Sequence, residues 1–508
     1  MKKTVKSVFA KIINRTSITV VLIVLQALVL ISWLTRLSEY AGYVDGISRV
    51  LALITALYII NRPDNPGFKL AIIVPILAFP IIGVPFYLLF GNSLRGMLNR
   101  QFVGRYNELA AAVEHSSEEL SGAFAPQAAF LTRNACTSAS TGNNTRYFNV
   151  DETFFAAFLE DLRSAKQYIF LEYFIIGEGY MWDSILPILK RKVDEGVEVR
   201  VIYDDLGCLG RIPDDYDAYL RRLGIACRRF NVFLPVLSLN FNFRDHRKIA
   251  VIDGVTAYTG GFNLGDEYLN ITHPHGHWKD AAVRLHGPAA REFSVLFLTF
   301  WNAMERGSAS EDFAPYLPQY IPRTEQPGIC VPFGDIPGDE FKVGRDVYLN
   351  AISRARKSVY ITTPYFIVDS ETLSAICLAA RNGLDVRILV PHIPDKWYVF
   401  TVTRSFYPQL IESGVRVYEY TPGFVHSKTV VVDDEVGIIS SVNFDYRSMY
   451  LQLECGVLMQ GTEAVHQLHE DYLQTLVHCE EITPEFYQRI PLPVRIMRSV
   501  FRLLSPLM

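Results

Sequence analysis

Cysteine is sparse along this chain, and the seven residues, at positions 136, 208, 227, 330, 377, 455 and 479, form no C-x-x-C pair. That scatter excludes a disulfide framework and a zinc ribbon, and it fits a reducing compartment. An excess of charge is missing too. Lys and Arg number 49 against 53 Asp and Glu, a formal net charge of −4 over 508 residues. A globally basic nucleic-acid binder is thereby excluded, leaving room only for local basic patches. No small-residue cleavage site follows the first apolar run, so the N-terminus does not read as a signal peptide. Apolar residues, by contrast, make up 50% of the chain, enough for more than one core and for two or three domains.

Residues 1–92 read as a transmembrane anchor. Lys2, Lys3, Lys6, Lys11 and Arg15 precede an apolar run from Ile18 to Leu34, and Leu70 to Phe90 supplies a second span. Pro75, Pro80 and Pro85 would kink that second span, which membrane helices tolerate. Between the two, Ile47 to Ile60 is shorter and carries Arg49, so it is either a third span or an interfacial helix. Basic residues before the first span, and Arg95, Arg100 and Arg105 after the last, favour two crossings with both ends cytoplasmic. The expectation is a multi-pass cell-membrane protein whose remaining chain faces the cytoplasm. Residues 93–150 read as a connector.

From Asp151 an internal repeat is visible. AKQYIFLEYFI (165–175) and EGVEVRVIYD (195–204) in the first copy match ARKSVYITTPYFI (355–367) and NGLDVRILVP (382–391) in the second. Helix-like stretches separate them, and each copy closes on a helix, Ala289 to Met304 and Glu463 to Leu476. This alternation predicts two α/β lobes with mixed sheets, 151–305 and 346–484, packed about a pseudo-twofold axis. The Pro-rich stretch within 306–345 reads as an ordered crossing between them.

Each copy carries one chemically loaded strand. HRKIAVID, His246 to Asp253, is followed seven residues on by Gly260-Gly261-Phe262-Asn263; HSKTVVVD, His426 to Asp433, is followed at equal spacing by Ser440-Ser441-Val442-Asn443. On a strand His246 and Lys248 share a face, as do His426 and Lys428, while Asp253 and Asp433 point to the other. Paired imidazoles suit a phosphodiester. One attacks phosphorus as a neutral nucleophile and the other donates a proton to the departing alcohol. Lys248, Lys428, Asn263 and Asn443 are then placed to hold the phosphoryl oxygens as charge builds. Each imidazole needs a carboxylate to orient it, and the repeat offers Asp280 in HGHWKDAAVRL and Glu454 in YLQLECGVL. Asp253 and Asp433 complete the catalytic motif by position, and their strand face points to a supporting role. Glu172 and Tyr173, aligned with Pro364 and Tyr365, either line the site or pack the core.

These motifs resemble the signature of the phospholipase D superfamily, H-x-K-x4-D with a trailing G/S-G/S-x-N, and both copies are complete. With the N-terminal segments NRPDNPGFK and PFYLLFG, the chain resembles the bacterial cardiolipin synthases within it. The resemblance implies a membrane phosphatidyltransferase that joins two phosphatidylglycerol molecules into cardiolipin through a phosphatidyl-histidine. It implies no cofactor and no metal, and partners that are phosphatidylglycerol and anionic lipids, not nucleic acid. It also implies His246 as nucleophile and His426 as acid and base, a ranking that spacing alone leaves open. A hydrolase, a transferase to another alcohol and a non-enzymatic membrane scaffold are the rival readings, the last disfavoured by two intact motifs.

Two further features stand outside this scheme. His273, His275 and His277 alternate as metal ligands do, yet Pro274 and Gly276 between them favour a loop at the substrate entrance. The tail, 485–508, reads as an amphipathic basic helix with Arg495, Arg498 and Arg502 on one face. It is either an interfacial helix held by anionic lipid or a helix docked on the second lobe.

Overall fold

Runs of β-branched and aromatic residues build the first lobe. In this computed structural model, which describes residues 41–62, 65–90, 97–115, 125–232, 242–305, 311–318, 320–338 and 341–507, they form three parallel strands. Tyr168–Tyr173, Glu198–Asp204 and Ala226–Phe230 lie side by side, joined through helices Tyr180–Asp194 and Tyr216–Arg222 as parallel neighbours require. Lys248–Ile252, Thr256–Gly260, Ala281–His286 and Asn144–Asn149 extend the sheet antiparallel on the other side.

The second lobe repeats the scheme. Ser358–Thr362, Asp385–Pro391 and Arg416–Tyr420 are parallel, and Thr429–Val432, Val436–Ser440 and Gln452–Gln460 follow antiparallel. The expected mixed α/β sheets flanked by helices are what the chain forms. Both sheets recruit strands from outside the repeat. Asn144–Asn149 edges the first, while Ile329–Asp335 and Ser140–Thr141 edge the second. These strands find their partners more than a hundred residues away, and no local pattern announces that.

The lobes share one interior. Helix Ala289–Ala303 is buried along almost its whole length because its residues meet strands of the first sheet and Ile329–Asp335 of the second. Phe293, Phe297 and Phe300 join Ile249 and Val251 of one lobe to Ile439 and Val457 of the other. Across the edge, helix Glu463–Leu476 packs on Asn144–Asn149: Tyr147 N–H donates to Gln467 Oε1 at 2.9 Å, and Tyr147 Oη to Asp471 at 2.8 Å. The expected connector also belongs here, since Val103 and Tyr106 of helix Met97–Ala111 enter the same core.

Residues 1–99 with 231–242 form a separate unit. Its described part holds helices Ala41–Ile60, Pro66–Ala78 and Pro80–Phe90, packed through Ala52, Ala56, Ile59, Ile73, Ile76, Val84 and Tyr87. The stretch from Leu70 to Phe90, expected to be kinked by its prolines, divides at Phe79 into two helices. Pro80 has no N–H to donate and disfavours helical backbone in the residue before it, and Phe79 accordingly leaves the helix at φ −132°, ψ 67°. The 13- and 11-residue helices on either side reach only about 20 and 16 Å at 1.5 Å per residue, short of a hydrocarbon core. Among the described residues no helix is long and apolar enough to cross a membrane. The run Ile18 to Leu34, the basic cluster before it and Arg95 lie outside the described residues.

The tail forms helix Leu492–Leu503, docked on helix Trp397–Glu412. Its arginine face is turned inward, which corrects the expectation that those arginines meet lipid. Arg502 donates to Gln409 Oε1 at 3.0 Å and lies over the Phe406 ring, and Arg498 is buried.

Candidate active site

The two His-x-Lys segments sit where the chain leaves one sheet for the other. Arg244–Asp245 pairs in parallel with Gln452 and Leu453 of the second lobe, and His246 N–H donates to Leu453 O at 2.9 Å. Only from Lys248 onward does the chain join its own sheet. Likewise Gly423–Val425 pairs with His277–Lys279 of the first lobe, and His426 N–H donates to Lys279 O at 2.7 Å before Thr429 enters the second sheet. Each histidine is thereby clamped between the lobes.

The orienting carboxylates are exchanged in the same way. Glu454 of the second lobe meets His246 Nδ1 at 2.9 and 3.0 Å, and Asp280 of the first lobe meets His426 Nδ1 at 2.7 Å. All four groups are buried. With each Nδ1 engaged, the Nε2 of each ring is the nitrogen left for chemistry. The doublets before the asparagines set this up differently in each copy. A Cβ on Gly261 would overlap Asp280 Oδ1, so glycine lets the short carboxylate approach. The second copy has Ser441 there, whose hydroxyl donates to Glu454 Oε2.

Lys248 Nζ donates to the His246 carbonyl at 2.6 Å, and Lys428 Nζ to the His426 carbonyl while standing 2.9 Å from His426 Nδ1. Burial lowers both ammonium groups, Lys248 to about 8 and Lys428 to about 7. Burial and then Lys428 push His426 down to about 4; burial, Lys248 and Lys428 hold His246 well below the usual imidazole range. Both shifts favour the neutral ring, the form a nucleophile or base needs. The carboxylates differ: burial raises Glu454, whereas for Asp280 the nearby His426 and Lys428 outweigh burial and lower it.

Asn263 uses its amide locally, accepting from Ile175 N–H at 3.1 Å and donating to Tyr268 Oη at 2.6 Å. Asn443 is buried, and its Oδ1 has no hydrogen-bond partner among the described residues. Asp253 and Asp433 are placed away from the imidazoles. Asp253 accepts backbone N–H bonds from Lys166, Gln167 and Tyr168, and Asp433 from Arg356, Lys357 and Ser358. Both take left-handed backbone, φ 52° and 56°, in the turn after the motif strand. That geometry ties the turn to the first strand of each lobe.

Glu172 lies in the interior beside Arg247 at 2.6 Å, and Tyr365 donates to Asp395 at 2.5 Å. His277 Nδ1 is 3.0 Å from Tyr420 Oη, and the described residues hold no group of three His, Cys, Asp or Glu placed for a metal. The aromatic surroundings went unread in the sequence. Phe174 stands edge-on to His246 at 5.2 Å, while Tyr268, Trp278 and Phe424 surround His426 at 5.6, 5.2 and 5.9 Å. Of these, Tyr268 was signalled only by falling five residues past Asn263.

Two interlocked lobes, each lending a His-x-Lys segment and a carboxylate to the other, define a phospholipase D-type protein. Residues 158–301 and 348–476 match the family described as cardiolipin synthase, PLD-like domain, and residues 50–92 match phospholipase D-nuclease N-terminal. The chain belongs to the cardiolipin synthase family of phospholipase D-like proteins. It is 33% identical to a cardiolipin synthase of Halalkalibacterium halodurans over 97% of this chain and 100% of that one. Cardiolipin synthase 2 of Bacillus anthracis is 34% identical over 89% and 88%. Among solved structures, the phosphatidylserine synthase of Haemophilus influenzae Rd KW20 shares the fold, with TM-score 0.54 over 75% of this chain and 100% of that one at 16% identity.

Proposed function

We propose that this chain is a phosphatidyltransferase that makes cardiolipin and glycerol from two phosphatidylglycerol molecules. The observation that carries the reading is the reciprocal pairing of His246 with Glu454 and of His426 with Asp280 across the lobes. It fixes both Nδ1 atoms, so that one Nε2 can attack as a neutral ring while the other carries the proton for the leaving alcohol, the arrangement double displacement needs.

His246 Nε2 attacks the phosphorus of the first lipid, and His426 gives a proton to the glycerol oxygen as the P–O bond breaks. The phosphatidyl group then rests on His246. A primary hydroxyl of the second phosphatidylglycerol gives its proton to His426 and attacks phosphorus, breaking the P–N bond and releasing cardiolipin. Lys248, Lys428 and Asn443 stabilise the phosphoryl oxygens at each transfer, with Asn263 supporting through Tyr268. The anionic diester entering between two lysines offsets their charge, which favours the protonated imidazole that the first step uses.

The substrate lies in a bilayer, and the N-terminal unit suits membrane residence. Leu53, Leu57, Leu70 and Leu88 are exposed on its helices although large and apolar. We place this unit in the cell membrane and the catalytic unit on the cytoplasmic side.

Purified enzyme in detergent, supplied with headgroup-labelled phosphatidylglycerol, is expected to yield cardiolipin and labelled glycerol in equal amounts. Phosphatidic acid as the main product would replace the transferase reading by a hydrolase. With an activated phosphodiester, His426→Ala is expected to accumulate an acid-labile adduct on His246; an adduct on His426 in the His246→Ala variant would reverse the two roles.

A further inference from the structure

Helix Leu492–Leu503 is turned the opposite way from a helix that faces water. Its cations point into the protein: Arg498 is 8% exposed, and Arg502 bonds Gln409 with its guanidinium 4.3 Å over Phe406. Its apolar residues at i, i+4, i+8 and i+11, Leu492, Ile496, Val500 and Leu503, remain exposed, Leu492 at 68% and Val500 at 58%. The neighbouring helix adds further exposed aromatic side chains. Trp397 is 64% exposed with its ring 5.7 Å from Phe501, and Tyr398 beside it is exposed as well.

The helix that carries Trp397 begins close to residues that pack toward the active site. Lys396, just before Trp397, places its ammonium 3.3 Å from Tyr365 Oη and 3.2 Å from Asp395. The Tyr365 ring lies 6.4 Å from Phe424, and the Phe424 ring lies 5.9 Å from His426. Tyr365 and Phe424 thus connect His426 to Lys396, the residue before the exposed tryptophan.

We propose that the stripe formed by Leu492, Ile496, Val500, Leu503 and Trp397 is a bilayer-docking face that holds the active-site mouth against the lipid surface. Three observations favour a bilayer over a protein partner. Trp397 and Tyr398 are of the amphipathic aromatic type that settles at headgroup depth. Lys396 stands beside them with its side chain half-exposed, suited to anionic headgroups. The surface also adjoins a site that, on the reading above, draws its substrate from the membrane, and the proposal rests on that reading. The inward arginines anchor the helix to the lobe, so its apolar side is presented as a fixed edge.

The test uses the full chain in phosphatidylglycerol nanodiscs, where the N-terminal unit is present in every variant and association as such is not the readout. The emission difference between the natural chain and Trp397→Phe isolates Trp397. Brominated acyl chains are expected to quench that difference about twofold or more, as for a ring at the acyl boundary. The double variant Ile496→Ser, Val500→Ser, altered only at exposed positions, is expected to lose about tenfold in kcat/KM on bilayer phosphatidylglycerol. The same variant should keep full activity on a short-chain phosphatidylglycerol dissolved as monomers. Absence of quenching, as when a second copy covers Trp397, or equal activity losses on both substrates, would overturn the proposal. Quenching in a chain that makes no cardiolipin would leave the docking face standing and remove the transferase reading.

Discussion

Replacing Asp433 separates the two roles that its motif position allows. Its carboxylate accepts from Arg356, Lys357 and Ser358 N–H at 2.8, 2.7 and 2.9 Å, and its backbone is left-handed at φ 56°. In Asp433→Ala the buried Ser358 amide loses its acceptor, at about 1–3 kcal/mol, while the other two amides regain water in part. Alanine in left-handed backbone costs a further 1–2 kcal/mol or so. The total is about 3–4 kcal/mol. With an unfolding entropy near 2.1 cal/mol/K per residue over roughly 400 residues, the melting midpoint should fall by about 4 °C. Asp433→Asn keeps one oxygen and tolerates the backbone, so it should lose about half as much. The assay is thermal unfolding at fixed scan rate alongside kcat per folded molecule, which should stay within about twofold of the natural chain. A variant with an unchanged midpoint and activity reduced a hundredfold would refute the reasoning and place this carboxylate in the chemistry. The half-buried Asp253 should follow the same pattern with a smaller loss, since water reaches its amide partners.

Three further outcomes are expected. Burial lowers Lys428 to about 7 and Lys248 to about 8, and an ammonium is lost as pH rises through its lowered value, so kcat/KM should begin to fall near pH 7 and steepen above about pH 8; a profile flat to pH 10 would show that neither charge matters. Gly261→Ala should push Asp280 off His426 and reduce turnover about tenfold or more with little change in KM, read from steady-state kinetics; full activity would mean that the Asp280 contact is dispensable. Glu454→Gln leaves His246 without a carboxylate, and kcat should drop about 10- to 100-fold with the melting midpoint held; unchanged kcat would remove Glu454 from the site.

The candidate site of this chain was legible in its sequence because it is built from short motifs at fixed spacing. His246, Lys248 and Asn263, repeated as His426, Lys428 and Asn443, announce a two-copy phosphodiester site, and the alternation of strand and helix announces two α/β lobes. The pairing of repeats also exposed Asp280 and Glu454, because equivalent positions carry equivalent acids. Their partners were another matter. That Glu454 serves His246 and Asp280 serves His426 depends on Arg244–Asp245 and Gly423–Val425 pairing with strands of the opposite lobe. Such two- and three-residue pairings carry no local signal. The same holds for the edge strands Asn144–Asn149 and Ile329–Asp335, which are strands only because a distant partner satisfies their backbone. Sequence periodicity likewise placed Arg495, Arg498 and Arg502 on one face of the last helix, but periodicity defines faces without saying which one the protein covers. Packing decided that, through Phe406 and Gln409, and it left the leucines and valine of the helix outside.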